Sequence, residues 1–219
     1  MESPFRGPLP PGLKLIETFR WDKSGFVLRE RHLERLETSA AFFEIACDAR
    51  KIERALEEAV RSLIPPQRVR LVLHASGEVE TSAAPLGEMK SLSFVIAPER
   101  MDSSDPLLHH KTTRRARYDS ALAAAKAAGA GEAVFLNERG ELTEGSFTNL
   151  FVERGGVLLT PALSCGLLPG TLRADLIAQG RAQEAVLTPD DLDKADAIYL
   201  GNSVRGLVRA EWLRNTPLP

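Results

Sequence analysis

The chain is poor in the residues from which disulfide scaffolds and metal centres are built. Its 219 residues include two cysteines, Cys47 and Cys165, far apart and without CxxC spacing, so neither a disulfide framework nor a thiolate zinc site organises the fold. Both read as buried thiols. His109 and His110 have no partner histidine or carboxylate at ligand spacing, so no metal is expected. Charge of one sign is also missing: 28 basic against 30 acidic residues leave a net charge of −2. No global field gathers nucleic acid, and any anion site must be local. No apolar run approaches the roughly 20 residues of a membrane helix, and the opening MESPFRGPLPPGLK lacks a signal-peptide core. A cytoplasmic protein without membrane contact is expected. No internal repeat or low-complexity tract is present.

What is present is an ordinary globular composition, 43% apolar and 26% charged, enough for one domain or two small ones. Residues 1–12, rich in Pro and Gly, form an irregular lead-in. KLIETFRW, the turn DKSG and FVLRE predict a β-hairpin. Leu33, Leu36, Ala40, Phe43 and Ala46 or Cys47 predict one helix, and Ile52, Leu56, Ala59, Val60 and Leu63 a second, stopped by Pro65 and Pro66. RVRLVLHA and SLSFVIAP read as strands, giving a smaller α+β domain over 13–100. The polar run ERMDSSDP points to a linker at 101–108, followed by a larger α/β domain over 109–219. There YDSALAAAKAAGA predicts a helix, EAVFLNERG a strand and TNLFVERGGVLLTP a hairpin turning at Gly155 and Gly156. A helix over 171–179, the segment AVL, a short helix and the strand AIYLG complete it. Thr188 as N-cap, Pro189 at N1 and Asp191 near the dipole's positive end mark the short helix start.

One segment suggests chemistry by itself. In LLHHKTTRRARYD, Lys111 lies between an apolar approach and the cations Arg114, Arg115 and Arg117. Neighbouring positive charge disfavours an ammonium, and the free amine is a nucleophile towards carbonyl compounds. The same segment also reads as a solvated basic loop or a small nucleic-acid patch.

The stretch FLNERGELTEGSFTNLFVERGGVLLTP, followed by LLPGTLRADLI, resolves this choice. With LIETFR, RHLERLETSA, HHKTT and YLGNSVRG it resembles, from about Leu15 to Val208, the fold-type IV pyridoxal-phosphate enzymes, the class IV aminotransferase superfamily. The resemblance implies a two-domain α+β and α/β fold of the D-amino acid aminotransferase type, with pyridoxal 5′-phosphate as cofactor. It implies that Lys111 holds the cofactor as an internal aldimine and then serves as catalytic base. Glu144 in LTEG matches the carboxylate that keeps the pyridine nitrogen protonated. Arg35 in HLERL matches the arginine that grips the phosphate. Thr171 and Leu172, after Gly170, would present backbone N–H groups to the same phosphate at a helix start, and Ser203 in GNSV would add a hydroxyl. Asn149 shapes the loop beside the ring. Tyr118 falls near the position of an active-site tyrosine, where core packing is an equal reading.

Within the superfamily, LIETFRW, HHKTTRRARYD and LLPGTLRADLI look most like aminodeoxychorismate lyases, in particular the lyase module fused to some para-aminobenzoate synthases. Branched-chain aminotransferases usually have Gly where Thr18 stands, and Thr18 is assigned here to hydrogen bonding at the leaving group. The substrate of such a lyase bears two carboxylates, for which Arg114 and Arg205 are candidate partners. The expected function is conversion of 4-amino-4-deoxychorismate to p-aminobenzoate and pyruvate, in folate precursor synthesis. The alternative is transamination of D-amino or branched-chain amino acids. A homodimer and a functional link to an aminodeoxychorismate synthase are expected, with no nucleic-acid or membrane partner. The lead before LIETFR is shorter than in most members, so an altered wall of the substrate pocket and an altered dimer contact are expected.

Overall fold

The computed structural model describes residues 9–89, 91–214 and 216. Residues 1–8 of the expected lead-in lie outside the described residues; Leu13 then closes a turn by donating from its N–H to Pro10 O at 3.0 Å. The elements run β1 (Lys14–Asp22), β2 (Gly25–Phe26), α1 (Arg29–Phe42), α2 (Ala49–Val60), β3 (Gln67–His74), β4 (Val79–Pro85), β5 (Leu92–Met101), α3 (Ala116–Ala127) and β6 (Glu132–Asn137). They continue with β7 (Leu142–Gly145), β8 (Asn149–Arg154), β9 (Val157–Pro161), α4 (Thr171–Ala178), β10 (Gln183–Ala185), α5 (Pro189–Asp193), β11 (Ala197–Asn202) and β12 (Gly206–Trp212). Among the described residues no helix is long and apolar enough to cross a membrane.

Two compact units result: Met1–Gly87 with His110–Arg114, and Glu88–His109 with Arg115–Pro219. This corrects the boundaries read from sequence, 13–100, 101–108 and 109–219. β5 runs parallel to both β6 and β12, so its two edges are hydrogen-bonded into the second unit's sheet. The polar stretch after it is folded structure rather than linker. Asp102 and Asp105 accept from the N–H groups of Ser104 and Leu107 at 2.9 Å, which turns the chain tightly. The segment 110–114 returns to the first unit, where Thr112 bridges to Leu15.

In the first unit the sheet order is β2-β1-β3-β4. Alternation places Leu15, Glu17 and Phe19 on one face, across from Leu73, Leu71 and Val69. All six are buried, as are Leu36 and Ala40 of α1 and Ile52, Leu56 and Val60 of α2. α1 stops at Phe42, short of the expected Ala46 or Cys47, because Glu44 adopts a left-handed φ of 56° and Phe43 and Ile45 turn inward. Cys47 is therefore half-buried, whereas Cys165 is buried as expected. β4 has no sequence signal in the weakly apolar VETSAAP; it is an outer strand whose residues are all half-buried or exposed.

The second unit's sheet runs β10-β9-β8-β11-β12-β5-β6-β7, and β7 also pairs with β8. That pairing closes a ring of six strands, and its contact is Glu144 opposite Asn149. Leu92, Phe94, Val134, Leu136, Leu150, Val152 and Leu200 form one core cluster of this sheet. The alternate residues Val95, Ala133 and Phe135 pack with Ala125 of α3, and Phe151 packs with Leu176 of α4. α5 starts as expected, with Thr188 as N-cap, Pro189 in the first turn and Asp191 behind it, and Asp191 adds a capping box by accepting from the Thr188 N–H at 2.8 Å. At Gly145 an added Cβ would fall on Thr148 Oγ1 and lie 2.9 Å from the Glu132 carboxylate. Gly145→Ala is expected to destabilise the protein by about 1–3 kcal/mol through overpacking, measured by urea denaturation.

Candidate active site

The first unit holds Lys111, Thr18, Arg35 and Arg114. Lys111 is carried by an extended segment laid along β1: Ile16 N–H donates to Lys111 O at 2.8 Å and Thr113 N–H donates to Lys14 O at 2.9 Å. The preceding residue is anchored too. His110 Nδ1 lies 3.0 Å from Ser39 Oγ of α1, with its ring 4.1 Å from that of Phe42. The lysine backbone is thus fixed on both sides, while Thr18 shares the Ile16 face of the same strand, two residues and about 7 Å along. Opposite Thr18 across the strands stands Arg70 of β3, a residue the sequence reading passed over.

On the other face of β1, Glu17 is buried and meets α1. Arg35 donates from Nε to Oε1 at 2.9 Å and from Nη2 to Oε2 at 2.7 Å, and His32 Nδ1 bonds Oε2 at 2.6 Å. Burial pushes the Glu17 carboxyl up, but the Arg35 guanidinium and the bonds from His32 and Arg35 outweigh it and hold the group at about 2. Arg35 is therefore a fixed fork, with its orientation set by Glu17. The sequence carried a signal for this network: a carboxylate at the core-facing middle position of LIETF, and His32 and Arg35 one helical turn apart.

The second unit holds the remaining candidates. Glu144 on β7 and Asn149 on β8 are the facing pair that closes the ring. Asn149 Nδ2 donates to Leu168 O at 3.1 Å, and an added Cβ on Gly170 would overlap Asn149 Oδ1. Glycine at 170 thus lets the start of α4 approach Asn149, and it caps that helix without a side-chain bond. Thr171 and Leu172 open the helix, and Leu172 Cδ2 comes within 3.1 Å of where a Cβ on Gly201 would stand. Beyond Gly201, Ser203 is buried in a turn shaped by Asn202, whose Oδ1 accepts from the N–H groups of Val204 and Arg205 at 3.0 Å. Tyr118 donates from its hydroxyl to Glu144 Oε1 at 2.8 Å. Glu144, Asn149, Thr171, Leu172, Ser203 and Tyr118 are thereby linked through short steps within one unit.

Two features lie apart from the sequence reading. The cationic group following Lys111 is dispersed: Arg114 is exposed, Arg115 Nη2 donates to Ser146 O at 2.5 Å, and Arg117 pairs with Glu99 at 2.9 Å. Arg205 is half-buried, with its N–H on Asn202. The second feature is Glu132, a fully buried carboxylate at the start of β6. It accepts from the N–H groups of Ala133, Ser146 and Phe147 and from Thr148 Oγ1 at 2.9–3.2 Å, and so holds the turn after Glu144. Burial pushes its carboxyl up to about 7 against those donors. The alternation Glu132, Val134, Leu136 in EAVFLN was its only sequence signal. Among the described residues no group of three or more His, Cys, Asp or Glu could hold a metal.

The Amino-transferase class IV family matches residues 14–211. A Schizosaccharomyces pombe protein named "Putative aminodeoxychorismate lyase" is 30% identical over 200 residues, covering 87% of this chain and 86% of that protein. A Thermotoga maritima protein named "Probable branched-chain-amino-acid aminotransferase" is 28% identical over 210 residues, covering 89% and 75%. Among solved structures, a "Putative amino-acid aminotransferase" from Mesorhizobium loti superposes with a TM-score of 0.89 at 43% identity, covering 92% of this chain and all of that one.

Glu17 offers a direct test of the first unit's network. Its folded value of about 2 lies below the ordinary 4.5, so its contribution is present above pH 4.5 and is lost as the pH falls towards 2. Glu17→Gln is expected to cost about 3–5 kcal/mol at pH 7, by leaving Arg35 and His32 without their anion. It should also flatten the acid limb of the stability curve, followed by urea melts from pH 2 to 7.

Proposed function

The chain belongs to the class IV amino-transferase family, whose cofactor is pyridoxal 5′-phosphate, and we propose that within it this protein is a lyase converting 4-amino-4-deoxychorismate to p-aminobenzoate and pyruvate. Thr18 carries the choice. It puts a hydroxyl on the strand that also holds the Lys111 backbone, with the cation Arg70 as its cross-strand neighbour. A donor beside a positive charge suits a departing group that bears a carboxylate; a glycine at that position would offer neither side chain nor proton.

The residues fit the cofactor. Glu144 is a buried carboxylate with its position fixed by two strands and a tyrosine, and Gly170 leaves the start of α4 free of side-chain capping. When bound, the cofactor supplies a carbonyl for the substrate amine and a ring that accepts the electron pair left when a carbon loses its proton. Lys111 Nζ would hold it, then take the proton from the substrate ring carbon bearing nitrogen. Glu144 would hold a proton on the cofactor's ring nitrogen. Arg35, the N–H groups of Thr171 and Leu172, and the Ser203 hydroxyl would grip the phosphate, while Asn149 fixes the approach of α4. Thr18 Oγ1 would donate to the enolpyruvyl group as it leaves, and Arg114, Arg205 and Arg70 are the cations for the substrate carboxylates. The products together contain every atom of the substrate, so the reaction needs neither an oxidant nor a second amino acid.

A second reading, an amino-acid aminotransferase acting on D-amino or branched-chain substrates, is favoured by the similarity to the Mesorhizobium loti structure. Substitutions separate the two. With the cofactor bound and aminodeoxychorismate supplied, Thr18→Gly is expected to slow p-aminobenzoate release about a hundredfold, the order expected for loss of a donor at developing charge, with cofactor affinity unchanged. Lys111→Ala should abolish release. Release at the wild-type rate in Thr18→Gly contradicts the lyase assignment of that residue.

A further inference from the structure

Tyr118 stands near the start of α3, with its ring packed edge-on against Phe135 of β6, centroids 5.3 Å apart. The neighbouring strand, β7, carries Glu144, and the tyrosine hydroxyl reaches it at 2.8 Å from Oε1. Arg115, the residue capping α3, lies over the same ring at 5.1 Å. Its guanidinium is drawn off to Ser146 O and to Asp119 at 3.5 Å. Burial, and then the Glu144 charge, push the phenol well above its ordinary range, so it keeps its proton and remains a neutral donor. Packing alone would be served by phenylalanine. The hydroxyl is directed at a carboxylate that is itself buried, where a hydrogen bond to the charged form favours that form.

We propose that Tyr118 is a positioning residue for Glu144, whose hydroxyl stabilises the carboxylate and thereby keeps the shared proton on the cofactor's ring nitrogen. This rests on the reading that Glu144 meets that nitrogen. The proton in such a pair has two places, the ring nitrogen or the carboxylate. A donor on Oε1 lowers the proton affinity of the carboxylate and shifts the proton towards the ring. Removing the donor moves it the other way, and the ring becomes a weaker electron acceptor without any change in the contacts of the phosphate or of Lys111. Tyr118 thus acts on the cofactor's electronics through Glu144 and need not touch the cofactor.

The test uses holoprotein loaded with cofactor labelled with ¹⁵N in the pyridine ring, and reads the ¹⁵N resonance at pH 7 with no substrate present. Wild type is expected at the pyridinium position. Tyr118→Phe, which keeps the ring packing, should move the resonance towards neutral pyridine, corresponding to about a tenfold change in the ratio of the two proton positions, or about 1.4 kcal/mol. Glu144→Gln should move it further. Replacing Tyr118 with 3,5-difluorotyrosine, a stronger donor, should move the resonance past the wild-type value, further from neutral pyridine, and keeps the proposal testable should the phenylalanine variant fold poorly. A pyridinium signal in wild type, lost in Glu144→Gln but unchanged in both Tyr118 variants, overturns the proposal and leaves the role of Glu144 standing. A signal unaffected by Glu144→Gln overturns the role of Glu144, and this proposal with it.

Discussion

Among the described residues three carboxylates are buried, Glu17, Glu132 and Glu144, and each must find in the fold the donors that water would otherwise provide. Glu17 is met by an arginine fork and a histidine from α1. Glu132 is met by three backbone N–H groups and a threonine, and Glu144 by a tyrosine from α3. These bonds fix more than the acids. Glu17 sets the direction of Arg35 and joins α1 to β1; Glu132 shapes the turn that separates β7 from β8; Glu144 takes part in the pairing that closes the ring. A buried anion without such partners would cost several kcal/mol.

The chemistry proposed follows from the same arrangement. A carboxylate that is to keep a proton on a neighbouring nitrogen must stay ionised in a low-dielectric setting, which requires donors fixed before any ligand arrives. A guanidinium that is to meet a phosphate gains from having its plane set in advance, and Glu17 does this for Arg35. In the proposed chemistry Lys111 would serve first the cofactor and then the substrate, which calls for a backbone that is held. The bonds of 111–113 to β1 and the seat of His110 on α1 achieve that with main-chain and aromatic contacts alone.

Much of this was legible in the sequence because the periodicities are strong. The alternation in RVRLVLH and the apolar content of LIETF and EAVFLN gave strands where strands stand, and the turn at Gly155 and Gly156 falls where a hairpin needs positive φ, but α2 ends at Val60, so Leu63, expected within the helix stopped by Pro65, lies beyond it and is exposed. The candidate site residues came from motifs, with roles that the family resemblance implies, and the structure links six of them within one unit. The losses have physical causes. β4 and β7 are short or weakly apolar, so periodicity has nothing to grip. The acids of 102–105 read as a linker because a turn-forming aspartate and a solvated one look alike in sequence. The arginines after Lys111 read as one cationic cluster, but side-chain direction is set by tertiary partners: Arg115 turns to Ser146 and Arg117 to Glu99. Glu132 and Arg70 went unnoticed because their meaning depends on strand register.

Whether this scaffold acts as a lyase or as a transaminase is decided by the state of the cofactor after turnover. Cofactor-loaded protein would be mixed with enzymatically generated aminodeoxychorismate, with p-aminobenzoate, pyruvate and the cofactor's absorbance followed together. A lyase gives equal amounts of the two products over many turnovers, with the cofactor spectrum returning to its starting form and no amino acid or keto acid required. Absence of both products, with conversion of the cofactor to pyridoxamine phosphate on addition of D-amino or branched-chain amino acids, would contradict the lyase proposal.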